Sequence, residues 1–141
     1  YKLVNHGYKE TMGRIGKFPC PMSVEEALSY IKNKLEIPVL RYAGNRDRLV
    51  EKIAILGGAG AEFAEVAKSM GADLYLTGDL KYHEAQDAAM NGLVIADGGH
   101  FYTERVIIPY LAKRLRDEFK TRGWNVGVLE DVRAKDIFHC V

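Results

Sequence analysis

The sequence predicts an α/β domain with a mixed, mainly parallel β-sheet and helices on both of its faces. Two observations favour this class. Short apolar runs alternate with helical stretches along the chain, an order typical of β–α–β crossovers. Glycine-rich and polar turns follow these runs, at the points where the strands of an α/β sheet pass into helices.

The individual elements have local signals. Ser23 stands three residues before Glu26, the spacing of a capping box, and this predicts a helix to about Leu35. Strands are predicted at the runs PVLRYAG, EKIAIL, DLYLTG and LVIAD, with NRDRL as a turn and GGAG as the end of the second run. Further helices are predicted over residues 61–70, 81–90 and 101–121, each followed closely by a glycine.

Three other stretches complete this assignment. YKLVNHGYK alternates loosely, is compatible with an edge strand, and leads into the glycine-punctuated GRIGKFPCP. WNVGVLED closes the set of elements near the C-terminal end. Pro109 lies inside the last predicted helix, where its missing N–H and its ring predict a bend or a break.

The composition limits the class of protein and the partners to be expected. The chain has 141 residues, 48% of them hydrophobic and 28% charged, which fits one globular domain over residues 1–141. A formal net charge of +1 gives no reason to expect nucleic acid, and the apolar runs are too short for a membrane span. Cys20 and Cys140 lack metal-type spacing, so we expect reduced thiols in the cytoplasm. The first residue is Tyr rather than Met, as expected for a piece of a longer protein.

Two corresponding stretches, TGDLKYHEAQDA and IADGGHFYTERV, each place a histidine and carboxylates just after an apolar run. Functional groups of open α/β sheets collect at the carboxyl ends of the strands. If the strands are neighbours, these two turns and GGAG converge on one edge of the sheet. The sequence therefore predicts a functional site at that edge.

The pair His100 and Glu104 is the most informative part of this site. Side chains four residues apart share one face of a helix, and an imidazole and a carboxylate are suitable ligands for zinc, iron or manganese. The alternative is that His100 packs at the helix start and Glu104 is a solvated acid in the first turn. Two ligands are also fewer than the roughly three that a catalytic metal site takes from protein.

Asp79, Lys81 and His83 are candidate catalytic residues in the first stretch. His83 could hydrogen-bond to Asp79 or to a metal-bound water, while Lys81 could hold an anionic substrate group. The alternatives are that Asp79 is an N-cap and that Lys81 is an ordinary solvated lysine. The turn GGAG lacks the full glycine fingerprint of a nucleotide-binding loop, so it favours close packing of a helix against a strand.

The motifs GRIG, GGAG, ADLYLTGDLKYHEAQDA and DGGHFYTE together resemble the C-terminal half of the Nif-three-like family, over nearly the whole chain. Members of that family are labelled dinuclear metal-centre hexameric proteins or GTP cyclohydrolase I type 2 homologues. The resemblance implies that His100 and Glu104 are metal ligands and that Asp79, Lys81 and His83 line the same cleft. It also implies that an N-terminal half, with a histidine pair and an aspartate as further ligands, and any inserted domain are absent.

Two classes of function follow from the resemblance. One is a metal-dependent hydrolase with two divalent metal ions per complete site, acting on a small phosphorylated or nucleotide substrate, as the GTP cyclohydrolase name suggests. The other is a non-enzymatic metal-binding or regulatory assembly. The family resemblance implies self-association, as a hexamer for the full-length proteins.

Overall fold

Five strands form one mixed sheet in the computed structural model, which describes residues 12–139. The strands are β1 (Arg14–Ser23), β2 (Arg41–Ala43), β3 (Leu49–Ala59), β4 (Leu74–Gly78) and β5 (Val94–Asp97). The helices are α1 (Val24–Leu35), α2 (Ala64–Ser69), α3 (Tyr82–Met90), α4 (His100–Glu104) and α5 (Ile107–Thr121). A single 3-10 turn, Ala61–Phe63, precedes α2.

The strand order in space is β1-β3-β4-β5-β2. The three central strands β3, β4 and β5 run parallel, while the outer strands β1 and β2 pair antiparallel with β3 and β5. The mixed α/β class expected from the sequence is confirmed. The parallel trio places the carboxyl ends of its three strands side by side, which is what positions the site.

Both faces of the sheet are covered. Successive residues of the central strands point to opposite sides, and these residues are apolar on both sides. On one face Tyr75 and Ile95 pack with Phe63 from the 3-10 turn and with Ala67 from α2. On the other face the core is built around α1 and the alternate residues of the same strands: Val24, Ala27, Leu28, Ile31, Leu74, Leu76, Val94 and Ala96. The core therefore sits in two layers, one on each side of the sheet.

The predicted start of α1 is confirmed in detail. Ser23 is the N-cap, its hydroxyl accepts from the backbone N–H of Glu26 at 3.3 Å, and its own N–H donates to the Glu26 carboxylate at 2.9 Å. The long helix expected over residues 101–121 is broken into α4 and α5 around residues 105–106. Proline cannot donate to the carbonyl four residues earlier, which belongs to Arg105, so Pro109 causes this break as expected.

Three stretches differ from expectation. β1 runs through GRIGKFPCP, which had no predicted strand; two prolines are tolerated there because β1 is an edge strand with a register shift between Lys17 and Met22. β3 continues through Gly57 and Gly58 instead of ending in a turn at GGAG. The stretch 124–131 is neither helix nor strand, and its Val126 and Leu129 are exposed. The edge strand expected at YKLVNHGYK lies outside the described residues.

Cys20 is a free, exposed thiol, and Cys140 falls outside the described residues. None of the helices within residues 12–139 combines the length and apolar character that a membrane crossing requires.

Candidate functional site

The carboxyl ends of the three parallel strands meet at one edge of the sheet, as the sequence predicted. β3 ends near Gly58, β4 leads into Asp79, and β5 leads through Asp97 into α4. The backbone N–H of Gly98 donates to the carbonyl of Thr77 at 2.9 Å, which joins the β4 and β5 ends directly. The turns that sequence analysis singled out are therefore neighbours in space.

His100 is the centre of this edge. Its Nδ1 lies 2.6 Å from Oδ2 of Asp79, and its Nε2 lies 3.2 Å from Oε2 of Glu104. All three side chains are about half exposed, at 49% for His100, 50% for Asp79 and 54% for Glu104. The structure thus brings together three of the five candidate residues in one continuous row.

The protonation of His100 follows from these contacts. An ionised carboxylate can only accept, so Nδ1 carries a proton and donates it to Asp79. In the neutral imidazole the lone pair of Nε2 then faces the Glu104 carboxylate at 3.2 Å, an arrangement of two acceptors that a positive charge stabilises. A proton serves this purpose: the hydrogen bond to Asp79, with the charge of Glu104, raises the pKa of His100 above its ordinary value although partial desolvation opposes it.

Asp79 reaches His100 through an unusual backbone conformation. Its φ of +54° lies in the left-handed region, which Asp tolerates better than most residues. It is not an N-cap, because α3 has Lys81 at that position and the Glu84 side chain accepts from the Lys81 N–H at 2.9 Å. The N-cap interpretation of Asp79 is therefore wrong, and its side chain is directed to His100 instead.

Glycines let α4 approach the strand ends closely. A Cβ at Gly58, whose φ is +70°, would lie 2.3 Å from Oε1 of Glu104 and 3.3 Å from Nε2 of His100. A Cβ at Gly57 would lie 2.6 Å from the carbonyl of Thr103, and one at Gly78 would lie 2.9 Å from the backbone nitrogen of His100. These glycines allow a helix to pack closely against a strand, which is the role expected for GGAG. The helix concerned is α4 and not the one that directly follows GGAG.

Two buried threonines fix the backbone of Gly58. The hydroxyl of Thr103 accepts from the Gly58 N–H at 3.0 Å and donates to the Gly99 carbonyl at 2.8 Å. The hydroxyl of Thr77 donates to the Gly58 carbonyl at 3.0 Å. Both backbone polar groups of Gly58 are thereby hydrogen-bonded inside the protein, so the backbone next to Glu104 is held in position. Sequence reasoning missed both threonines, since a single Thr in a strand or helix carries no pattern.

Asp97 and Arg41 form a second feature that sequence reasoning did not assign. Asp97 is 7% exposed and accepts from the backbone N–H of Gly99 at 3.0 Å and of Leu80 at 3.4 Å. Nη2 of Arg41, on the edge strand β2, lies 2.5 Å from Oδ2 of Asp97. The register of β2 against β5 pairs these two residues directly, and that register could not be deduced from either motif alone.

Lys81 and His83 lie at the start of α3 and are exposed. Nζ of Lys81 is 3.6 Å from Oε1 of Glu84, and the ring of His83 contacts that of Tyr82 edge to face at 5.6 Å. Asp79, the partner suggested for His83 by spacing, is bonded to His100 instead. The roles assigned to Lys81 and His83 stay predictions.

An open groove of about 1570 Å³ runs past this row of side chains. Asp79, His100 and Glu104 line it together with Arg41 and Asp97, and most of the residues between 130 and 139 line it as well. Lys81 and His83 do not belong to the lining. The His–carboxylate row is therefore accessible to a small molecule or to another polypeptide segment.

The donor set suits a divalent metal ion only in part. A histidine nitrogen and a carboxylate oxygen that bind one ion at about 2.0–2.2 Å come roughly 3 Å apart, as Nε2 of His100 and Oε2 of Glu104 do. Asp79 on the other ring nitrogen matches the carboxylate that commonly orients a metal-binding histidine. Within residues 12–139, however, no three His, Cys, Asp or Glu side chains are arranged to hold an ion.

Fold and site define an α/β protein with a histidine–carboxylate row at the carboxyl ends of its parallel strands. A family model described as Duf34/NIF3 (NGG1p interacting factor 3) matches residues 3–135, so the chain belongs to the Duf34/NIF3 family. This confirms the resemblance found in the motifs.

Individual relatives agree with this membership. A "GTP cyclohydrolase 1 type 2 homolog" of Bacillus subtilis (strain 168) is 36% identical over 117 residues, which are 83% of this chain and 31% of the relative. A protein of the same name from Clostridium perfringens is 35% identical over 92% of this chain and 48% of its own length. The solved structure of a Bacillus cereus protein related to NIF3 superposes with a TM-score of 0.87 at 35% identity, covering 92% of this chain and 36% of that one. The chain thus spans between about a third and a half of these relatives.

Proposed function

We propose that this chain supplies one side of a divalent metal centre, with Nε2 of His100 and the carboxylate of Glu104 as ligands. The observation that carries the proposal is the row Asp79–His100–Glu104. Asp79 fixes the tautomer of the imidazole, and the remaining nitrogen faces a carboxylate at 3.2 Å, so a metal ion that replaces the proton of this nitrogen would be bound by both groups.

The proposed centre needs further donors. His100 and Glu104 supply two, whereas a stable site takes about three or more from protein. We propose that the others come from polypeptide beyond residues 12–139 and that the complete centre holds two ions, as the family resemblance implies. Nitrogen and oxygen donors of this kind suit zinc, iron or manganese.

For chemistry we propose metal-dependent hydrolysis of a small phosphorylated or nucleotide substrate. A bound divalent ion would lower the pKa of a coordinated water toward neutrality and so supply a nucleophile. In this chain Asp79 keeps the proton of Nδ1 in place, and Gly58 lets Glu104 and His100 stay close to the strand end. Lys81 and His83, at the start of α3, are proposed to hold an anionic group and to move protons. The name of the Bacillus subtilis relative favours GTP as a first substrate to test.

A second candidate function is a metal-binding or regulatory assembly without turnover. Its assembly part is supported by α5, which leaves Ile107, Ile108 and Leu111 between 46% and 51% exposed and has only Ala112 buried. Such an apolar surface is typical of a buried contact in an assembly. We therefore propose self-association in either case, with a hexamer as the form of the full-length proteins and the cytoplasm as the compartment.

Hydrolysis assays separate the two functions. A protein of the relatives' full length that contains this chain is loaded with zinc, iron or manganese and given GTP and a panel of phosphoesters. Turnover that disappears in His100→Ala, while Arg46→Gln on the far side retains it, supports the hydrolase. Loss of metal in His100→Ala without turnover of any substrate by the native protein would contradict the hydrolase and leave the assembly function.

A further inference from the structure

Arg41 lies on the same groove and presents a second group that can contact a ligand. β2 pairs with β5 so that Arg41 stands opposite Asp97, at the carboxyl end of the strand that leads into His100. Arg41 lines the groove together with Asp79, His100 and Glu104. A group bound by Arg41 would therefore lie beside the proposed metal ligands.

Asp97 orients the guanidinium of Arg41 without enclosing it. The Asp97 carboxylate is buried and held by two backbone N–H groups, so it is a fixed anchor for Nη2 of Arg41 at 2.5 Å. The Arg41 side chain is nonetheless 72% exposed, and within residues 12–139 it makes no other hydrogen bond. A guanidinium has five N–H donors in a planar fork, so most of them stay available to a ligand.

Two other cations that line the groove, Arg105 and Lys34, have contacts of their own, and Lys135 lines it as well. Arg105 donates to the carbonyl of Leu35 at 3.3 Å, forms an ion pair with Glu36, and stacks over the ring of Tyr102. Nζ of Lys34 lies 5.7 Å from the centre of the Tyr30 ring. Of the cations that line the groove, Arg41 is the one held by a buried carboxylate, and most of its N–H donors remain available.

We propose that Arg41 binds a phosphate group of the ligand that occupies this groove. A planar fork held at one edge is suited to bidentate contact with a tetrahedral oxyanion. Asp79, Asp97 and Glu104 place negative charge nearby, so phosphate binds weakly to the metal-free protein and more tightly once divalent ions offset that charge. The assignment of this phosphate to a substrate rests on the proposed function, whereas the anion site itself does not.

The test is a titration of the isotopically labelled chain with inorganic phosphate in metal-free buffer, followed by the NMR signals of arginine side chains and of groove backbone amides. Native protein is expected to show saturable shifts at Arg41 with a dissociation constant on the order of 1–10 mM, since one guanidinium among carboxylates binds a dianion weakly. Arg41→Gln should weaken binding at least about tenfold, and Arg41→Lys, which keeps charge but not the fork, roughly threefold.

Matched variants keep the result interpretable. Arg46→Gln removes another exposed arginine, 68% exposed and paired with Glu25, and should leave phosphate binding unchanged. Arg41→Gln leaves the buried Asp97 carboxylate without its ion-pair partner. The double variant Arg41→Gln/Asp97→Asn removes both charges and should also fail to bind phosphate. His100→Ala should lose metal but keep phosphate binding, so failure of the metal proposal is distinguishable from failure of this one.

Three results would overturn the proposal. The first is phosphate binding that survives in a folded Arg41→Gln or in the double variant. The second is a loss that follows Lys135→Gln or Arg46→Gln as much as Arg41→Gln, which would indicate another cation or diffuse electrostatics. The third is malonate binding as tightly as phosphate, which would assign the fork to carboxylates.

Discussion

Nδ1 of His100 lies 2.6 Å from Oδ2 of Asp79, although the two residues belong to connections that follow different strands. The contact exists because β4 and β5 are adjacent and because Asp79 adopts a left-handed backbone conformation. It makes Asp79 the residue that sets the tautomer and the charge of His100.

The first prediction concerns Asp79→Asn, which keeps a side chain that tolerates the left-handed conformation but removes the negative charge. The pKa of His100 should fall from its raised position toward about 6.5, because the principal cause of the shift is the Asp79 hydrogen bond. NMR titration of the imidazole C–H signals measures this, with His100→Ala identifying the signal among the 4 histidines.

The sign of the linked stability follows from the raised pKa. Protonated His100 stabilises the native state fully below its ordinary pKa, and this stabilisation is lost as pH rises through the higher pKa of the folded protein. The unfolding free energy of the metal-free chain should therefore decline over that interval. The decline is small because the pair is half exposed, and it should flatten in Asp79→Asn. An unchanged His100 titration in Asp79→Asn would contradict the assigned contact.

The second prediction concerns Gly58→Ala. The added Cβ would meet Oε1 of Glu104 at 2.3 Å, and alanine is strained at a φ of +70°. The unfolding free energy should fall by about 1–2 kcal/mol from the backbone conformation alone, and Glu104 should be displaced from His100. Chemical denaturation and a crystal structure of the variant measure both effects.

Gly16→Ala is the matched control for that substitution. A Cβ at Gly16 meets nothing within 4 Å, so the control should unfold within roughly 0.5 kcal/mol of the native chain. Equal behaviour of the two variants would show that the close approach of Glu104 to Gly58 has no energetic consequence.

The third prediction concerns Asp73, at the opposite end of the sheet from the site. Partial burial raises the pKa of Asp73, but hydrogen bonds from the Lys52 N–H, the Arg48 guanidinium and the Glu51 N–H outweigh it and hold that pKa below its usual range. Asp73→Asn should lower the unfolding free energy by about 1–3 kcal/mol, since charge-assisted hydrogen bonds are lost.

The pH dependence of this effect has the opposite sign to that of His100. The stabilisation by Asp73 is present above its ordinary pKa of 3.8 and is lost as pH falls through the lowered pKa of the folded state. Denaturation curves between neutral pH and about pH 2 test it. Asp47→Asn, in an exposed turn, serves as control, and an equal loss in both variants would contradict a specific role of Asp73.

The fourth prediction concerns self-association through α5. Leu111 and Leu115 lie on its apolar side and are 46% and 36% exposed. The double substitution Leu111→Gln/Leu115→Gln should shift the chain toward the monomer in light scattering, whereas Arg114→Gln on the same helix should not. A native chain that scatters as a stable monomer of 15.8 kDa would contradict this prediction.

The sequence carried much of the fold because its signals are local. The capping box at Ser23, the break caused by Pro109 and the parallel trio of strands were all predictable from spacing and propensity. β1 was missed because its two prolines conceal an edge strand, and β3 was cut short because glycines that usually mark turns here make room for α4.

In the site, contacts within one element were predictable from the sequence, whereas contacts between different elements were not. The spacing of His100 and Glu104 on one helix face indicated their contact, which depends on α4 alone. The contact of Asp79 with His100 and that of Arg41 with Asp97 depend on which strands are adjacent and in which register. Such relationships leave no trace in the spacing of a single motif.

Metal titration tests the central claim most directly. Zinc and manganese are titrated calorimetrically into the native chain at about pH 8, where His100 gives up its proton more readily, and binding should be weak because two donors are too few. His100→Ala and Glu104→Gln should each abolish the remaining heat, and Asp79→Asn should weaken binding roughly 10–100-fold. Tight stoichiometric binding that neither His100→Ala nor Glu104→Gln alters would contradict the assignment of these residues as ligands.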